Sequence, residues 1–178
     1  MVFRLLRAPL TWVAAAVLVA GAAFGLYWFQ PWKLVTDTAV DEELTVVATA
    51  AAPSDAASVP AGPAVVRSGE FVTHEHETTG SARIVRDADG QLRLELVGLA
   101  TSNGPDLRVW LTDQQVRTGT AGWRVFDDGR WVELGRLKGN RGNQAYDIPA
   151  DVDLAGLTSV SIWCKRFSVS FGAAPLTG

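Results

Sequence analysis

Few residues in this chain can carry chemistry. Among 178 residues there is one cysteine, Cys164, and two histidines, His74 and His76. A lone thiol beside Lys165 and Arg166 is a redox or ligand candidate, because cationic surroundings favour the thiolate. On a strand, however, Lys165 points away from Cys164, and a free cysteine on an apolar strand face is most often a small buried hydrophobe. His74 and His76 form an H-x-H pair. On a strand their rings share one face and can grip a metal ion together, with Glu75 and Glu77 opposite. Two ligands make a weak site, and Cys164 is the only soft third ligand. Thiolate plus imidazole suits haem or copper. The competing reading is a pair of surface histidines.

Other constellations are weaker. One cysteine excludes an intramolecular disulfide and zinc sites built on several cysteines. No Ser/His/Asp arrangement or carboxylate pair stands out, so an independent catalytic site is not expected. Asp106, after Gly104-Pro105, reads as a turn-stabilising aspartate. Lys138-Gly139-Asn140-Arg141-Gly142-Asn143 combines two glycines with two basic side chains. It reads as a hairpin or wide turn before it reads as an anion cradle. The formal net charge of -3 argues against a nucleic-acid partner, which demands a basic surface.

The elements that must position these residues follow a period of two. Gln91-Leu92-Arg93-Leu94-Glu95-Leu96 alternates strictly. Leu107, Val109 and Leu111 face one way; Arg108, Trp110 and Thr112 face the other. Ser81–Val85 and Trp131–Leu134 are shorter strand candidates. Turn signals lie between them at Asp87–Gly90, Asn103–Pro105, Asp127–Gly129 and Lys138–Asn143. The pattern predicts an all-β domain over 67–178, an antiparallel sandwich or barrel. Val160, Ile162 and Cys164 share one parity, whereas Phe167, Val169 and Phe171 share the opposite one. Both sets reach a core only if a bulge or tight turn near Lys165-Arg166 inserts a shift.

Upstream lies a membrane signal. Leu10 to Trp28 is uncharged, and the apolar character runs on to Trp32, so 10–32 is expected to span a bilayer as a single helix. Arg4 and Arg7 precede it, which places residues 1–9 in the cytoplasm and the domain outside. Trp12 at one end, with Tyr27, Trp28 and Trp32 at the other, suits interfacial aromatic belts. Ala20-Gly21-Ala22 offers a signal-peptide cleavage site as the alternative. Gly21 and Gly25 match a G-x-x-x-G spacing, which Gly-rich membrane helices also show by chance. Residues 33–66 are acidic and rich in Ala, Pro and Ser, and read as a disordered tether.

The ending Ser159–Leu176, with Trp163-Cys164, Phe171 and Gly172, resembles the close of the DM-thirteen domain. Leu134-Gly135-Arg136-Leu137-Lys138-Gly139-Asn140-Arg141-Gly142, followed by Tyr146 and Ile148-Pro149, is similar to its central loop. Gly104-Pro105-Asp106-Leu107 is similar to one of its strands, and Gly69, Phe71, His76 and Gly80 are spaced like its opening. The resemblance spans about 67–176. It implies a small extracytoplasmic electron-transfer module, which in animals accompanies haem-binding DOMON modules. It also implies that Cys164 stands where the family places a redox thiol or ligand. Of the two histidines only His76 fits the family spacing. The chain has no DOMON-like or cytochrome segment, so any redox partner is expected to be a separate membrane polypeptide. The alternative is a non-catalytic envelope binding or structural module in which Cys164 is core.

Overall fold

The computed structural model describes residues 9–47 and 62–178. Helix α1, Pro9–Phe29, is uncharged, and the rest of the chain buries none of its residues. At ~1.5 Å per residue its length matches a hydrocarbon core. It is long and apolar enough to cross a membrane. The helix ends where Gln30 takes a left-handed φ of 46° and Pro31 opens a short 3-10 turn, Pro31–Val35.

Among the described residues ten strands follow: β1 Ala39–Asp41, β2 Ala64–Glu70, β3 Val72–Thr73, β4 Thr79–Arg86, β5 Leu92–Ala100, β6 Leu107–Thr112, β7 Trp131–Arg136, β8 Arg141–Ile148, β9 Ser159–Cys164 and β10 Val169–Pro175. They form two five-stranded sheets, β1-β8-β5-β4-β2 and β3-β10-β9-β6-β7. All pairings are antiparallel except β1 with β8. The expected sandwich is present, and its core lies between the sheets. Leu94, Leu96 and Ile84 come from one side; Leu107, Val109, Leu111, Ile162 and Cys164 come from the other. The alternation in the sequence sorts these residues inward, as a period of two requires.

The parity break has two causes. Residues 165–168 form a tight turn between β9 and β10, with Val169 opposite Cys164. A register shift between Ser170 and Gly172 then leaves Phe171 as the bulged residue. Turn and bulge together let Cys164, Val169 and Phe171 all join the core.

The outer face of the second sheet is also covered. Trp110, Phe126, Trp163 and Ala173 form a separate buried cluster, closed by Val116 and Val125. Trp131 stacks on Trp110 at 4.0 Å, and Trp110 on Trp163 at 5.1 Å.

The segment expected to be a free tether, 33–66, divides. Residues 33–47 dock on the domain. Strand β1 adds to β8, Thr45 N–H donates to Glu95 at 2.7 Å, and Lys138 Nζ meets both Glu42 oxygens at 2.8 Å. The physical reason is an open sheet edge together with a carboxylate at Glu95 that wants donors. Residues 48–61 of that segment lie outside the described residues.

Candidate functional site

The sandwich end nearest α1 is built from three loops: residues 74–78 after β3, residues 101–106 before β6, and the 165–168 turn. Cys164 and Phe171 flank that turn on β9 and β10, and both pack into the same core. The end is fixed to the helix. Arg166 donates to the carbonyls of Tyr27 at 3.1 Å and Trp28 at 2.6 Å, which satisfies acceptors that a helix C-terminus leaves open. Its guanidinium also lies over both rings. Phe29 stacks on Phe167 at 5.7 Å, and Lys33 Nζ donates to Gly104 O at 3.1 Å.

Cys164 is 0% exposed. Burial pushes its thiol pKa up, and backbone hydrogen bonds at Phe167, Asp106 and Arg166 pull the other way. The charges of Lys165 and Arg166 do not enter: Lys165 turns to Glu133 at 3.5 Å and Arg166 to the helix. The sulfur is thus kept as a protonated, enclosed thiol.

The two histidine rings do not share a face. Residues 74–76 leave the strand in a bend, where the backbone N–H groups of His74 and His76 both turn to Phe171 O. The rings then diverge. His74 enters the second aromatic cluster against Phe126 and is 5% exposed. Its Nε2–H donates to Arg117 O at 2.9 Å, and its Nδ1 accepts from Ser170 Oγ at 2.9 Å. Ser161 Oγ donates to Ser170 in turn. Both ring nitrogens are therefore committed, and burial holds the ring neutral by lowering its pKa. The shared face expected for an H-x-H strand is lost because the chain bends.

His76 goes to the other side. Its ring lies on Phe171 at 3.9 Å between centroids, tilted by 33°. Its Nε2 lies 3.8 Å from a carboxylate oxygen of Glu75. Burial lowers its pKa, while Glu75 opposes the shift. A cavity of about 260 Å³ opens here, lined by the apolar Phe29, Pro31, Leu34, Phe167 and Phe171 and by the polar Gln30, Lys33, Glu75, His76 and Asn103.

The remaining motif residues are held by packing and hydrogen bonds within the domain. Asp106 does not brace its own turn. Its Oδ1 accepts from Arg108, Nε at 2.9 Å and Nη2 at 2.8 Å, and Asn103 supplies the local bond instead, accepting from Gly104 N–H. Residues 137–140 cross from one sheet to the other, so the motif is a wide turn. Its donors are consumed internally. Lys138 N–H and Gly139 N–H both donate to Gln144 Oε1, and Asn140 donates to Asp37 and to Thr101 O. Gly139 and Gly142 are required because a Cβ at either would collide with the carbonyls of Thr38 and Val40 in the docked segment. Gly135 sits at a register shift opposite β6. Gly172 passes against Thr78. Trp163, 1% exposed, anchors the outer cluster.

Among the described residues no group of three His, Cys, Asp or Glu side chains converges on one point. With His74 saturated, Cys164 enclosed and His76 across Phe171 from the core, the residues as folded do not fit a copper ion or haem held by cysteine and histidine together. The cavity is also below the ~300–1,000 Å³ usual for drug-sized ligands, and a porphyrin is larger still.

Two groups escaped the sequence reading. Glu95, on the face opposite the three leucines of its strand, is 0% exposed; it pairs with Arg83 at 2.7 Å beneath Thr45. Arg166, read only as a neighbour of Cys164, is the link to the helix. The aromatic belt Tyr27-Trp28 was the signal available for it.

Comparison with known proteins gives one match. Residues 70–176 match the family described as Electron transfer DM13. No curated protein and no solved structure matches the chain.

Proposed function

The chain belongs to the electron transfer DM13 family, and from that premise we propose that it is a membrane-anchored extracytoplasmic electron-transfer domain whose working end is the His76 end of the sandwich. The observation that carries this is the junction itself. The apolar helix runs straight into the wall of the His76 cavity, and Arg166 and Lys33 lock the two together. In this reading the lipid bilayer holds the domain so that its one cavity with an open imidazole meets a separate membrane redox protein or a lipid-borne carrier. The orientation rests on Arg4 and Arg7 ahead of the span, which favour a cytoplasmic N-terminus. Cys164 serves as a core thiol that burial protects from oxidation.

A potentiometric titration of the full chain, extracted from its native membranes with their lipids, tests this. A reversible optical signal should appear, His76→Phe should shift or remove it, and Cys164→Ala should leave it in place. Loss of the signal in Cys164→Ala with His76→Phe unchanged would return the redox role to the thiol.

The enclosed thiol and the saturated His74 also favour a second reading, a non-catalytic envelope binding module with a core cysteine. A chain from native membranes with no redox signal at any potential supports that reading.

A further inference from the structure

We propose that the cavity at the junction of helix and domain binds the headgroup of an isoprenoid quinone, with the His76 imidazole donating a hydrogen bond to a ring carbonyl. The choice of a redox-active ring rests on the electron-transfer reading; the binding geometry stands on the cavity alone. The cavity begins where α1 ends, at Phe29, Pro31 and Leu34, so a ligand enters it from the bilayer interface with its tail left in lipid. At about 260 Å³ it suits one ring system. Phe29, 61% exposed, and Phe167, stacked on it, put aromatic surface on the cavity, which favours extending the stack with an aromatic or quinonoid ring.

The polar groups select among lipid-borne ligands. The His76 imidazole makes no hydrogen bond among the described residues; Glu75 lies 3.8 Å from its Nε2. Burial keeps the ring neutral, so it presents one N–H and one acceptor nitrogen. Lys33, the cation on the wall, already donates to Gly104 O, and the Glu75 carboxylate repels anions. Lys33 keeps its charge and two further donors, but the Glu75 carboxylate on the same lining offsets that charge, so the cavity carries no net positive charge for a phosphate, whereas a neutral carbonyl finds a donor in His76. A quaternary ammonium would welcome Glu75 and aromatic faces, but Phe29 and Phe167 are stacked on each other, 19° from parallel, and do not open as a cage.

The test uses the full chain in nanodiscs of phosphatidylethanolamine and phosphatidylglycerol, with decylubiquinone as the probe and an azido-ubiquinone for photolabelling. The label should fall on peptides covering Phe29–Leu34 or Phe167–Gly172. His76→Phe should weaken binding at least tenfold, while His76→Gln, which keeps a donor, should stay within about threefold. Leu34→Trp, which fills the cavity from a residue outside the core, should also weaken binding, so a folding defect in the His76 variants leaves the proposal testable. Equal binding by wild type, His76→Phe and Leu34→Trp overturns it, as does labelling elsewhere, or displacement of the probe by phosphocholine. A redox signal without quinone binding sinks this proposal alone. Quinone binding without any redox signal sustains it and overturns the electron-transfer reading.

Discussion

Replacing Cys164 by alanine should cost the folded chain about 1–2 kcal/mol and nothing in redox behaviour. The sulfur is wholly buried in the core with Leu107, Ile162, Val169 and Phe171. Removing it gives up roughly one methylene's worth of burial, about 0.8 kcal/mol, plus a smaller cavity contribution. Serine keeps the volume but buries a hydroxyl, which costs about 1–3 kcal/mol when it finds no partner. The sulfur sits in the apolar core, so Cys164→Ser should cost at least as much as Cys164→Ala. Denaturant unfolding of the full chain in mild detergent, followed by tryptophan fluorescence, measures both. Thiol labelling gives the kinetic counterpart. If the sulfur is reached only through an opening of about 5 kcal/mol, labelling in native buffer should be roughly a thousandfold or more slower than in denaturant. A Cys164→Ala chain as stable as the parent, or a thiol that labels at once in the native state, would refute the packing role.

Three further outcomes follow from other buried groups. His74 has a folded pKa below its ordinary value, so the unfolded chain takes up a proton first; stability should hold above about pH 6.5 and fall as pH drops below it, and His74→Gln should flatten that fall in an acid unfolding series. Tyr146 is raised to about 12 by burial. The stability tied to its proton is therefore complete below about pH 10 and lost between 10 and 12, about 3 kcal/mol in all, and an alkaline series on Tyr146→Phe should lack that loss. Glu95→Gln leaves Arg83 without its carboxylate and weakens the bond to Thr45 N–H; it should cost about 2–3 kcal/mol by denaturant titration and raise proteolysis within residues 36–47.

The strands were legible because alternation is a local signal. Leu92, Leu94 and Leu96 face inward for the reason any strand sorts its residues, and the parity conflict between Cys164 and Phe171 announced a turn that the structure places at 165–168. The docked segment was not legible. Residues 37–47 carry acidic and small residues that alone would stay solvated; they are ordered by partners fifty or more residues away, namely β8, Glu95, Lys138 and Asn140. Glu95 was missed for the same reason, since the face it occupies looks solvent-exposed until that segment covers it. The candidate site was half legible. Residue types named Cys164 and the histidines, but their roles depend on burial and on a bend at 74–76 that no spacing encodes. The bend sends His74 to Ser170 and Arg117 and leaves His76 as the open group.

The placement of the His76 end against the bilayer underlies the rest, and depth measurement by spin labelling tests it most directly. In a Cys164→Ala background, labels at Lys165→Cys, in the turn that meets the helix, and at Asp89→Cys, in the opposite β4–β5 hairpin, report the two ends of the sandwich. In lipid nanodiscs a membrane-partitioning relaxant should broaden the signal at position 165 and spare position 89. Equal broadening at both positions, or stronger broadening at 89, would contradict a working end that faces the membrane.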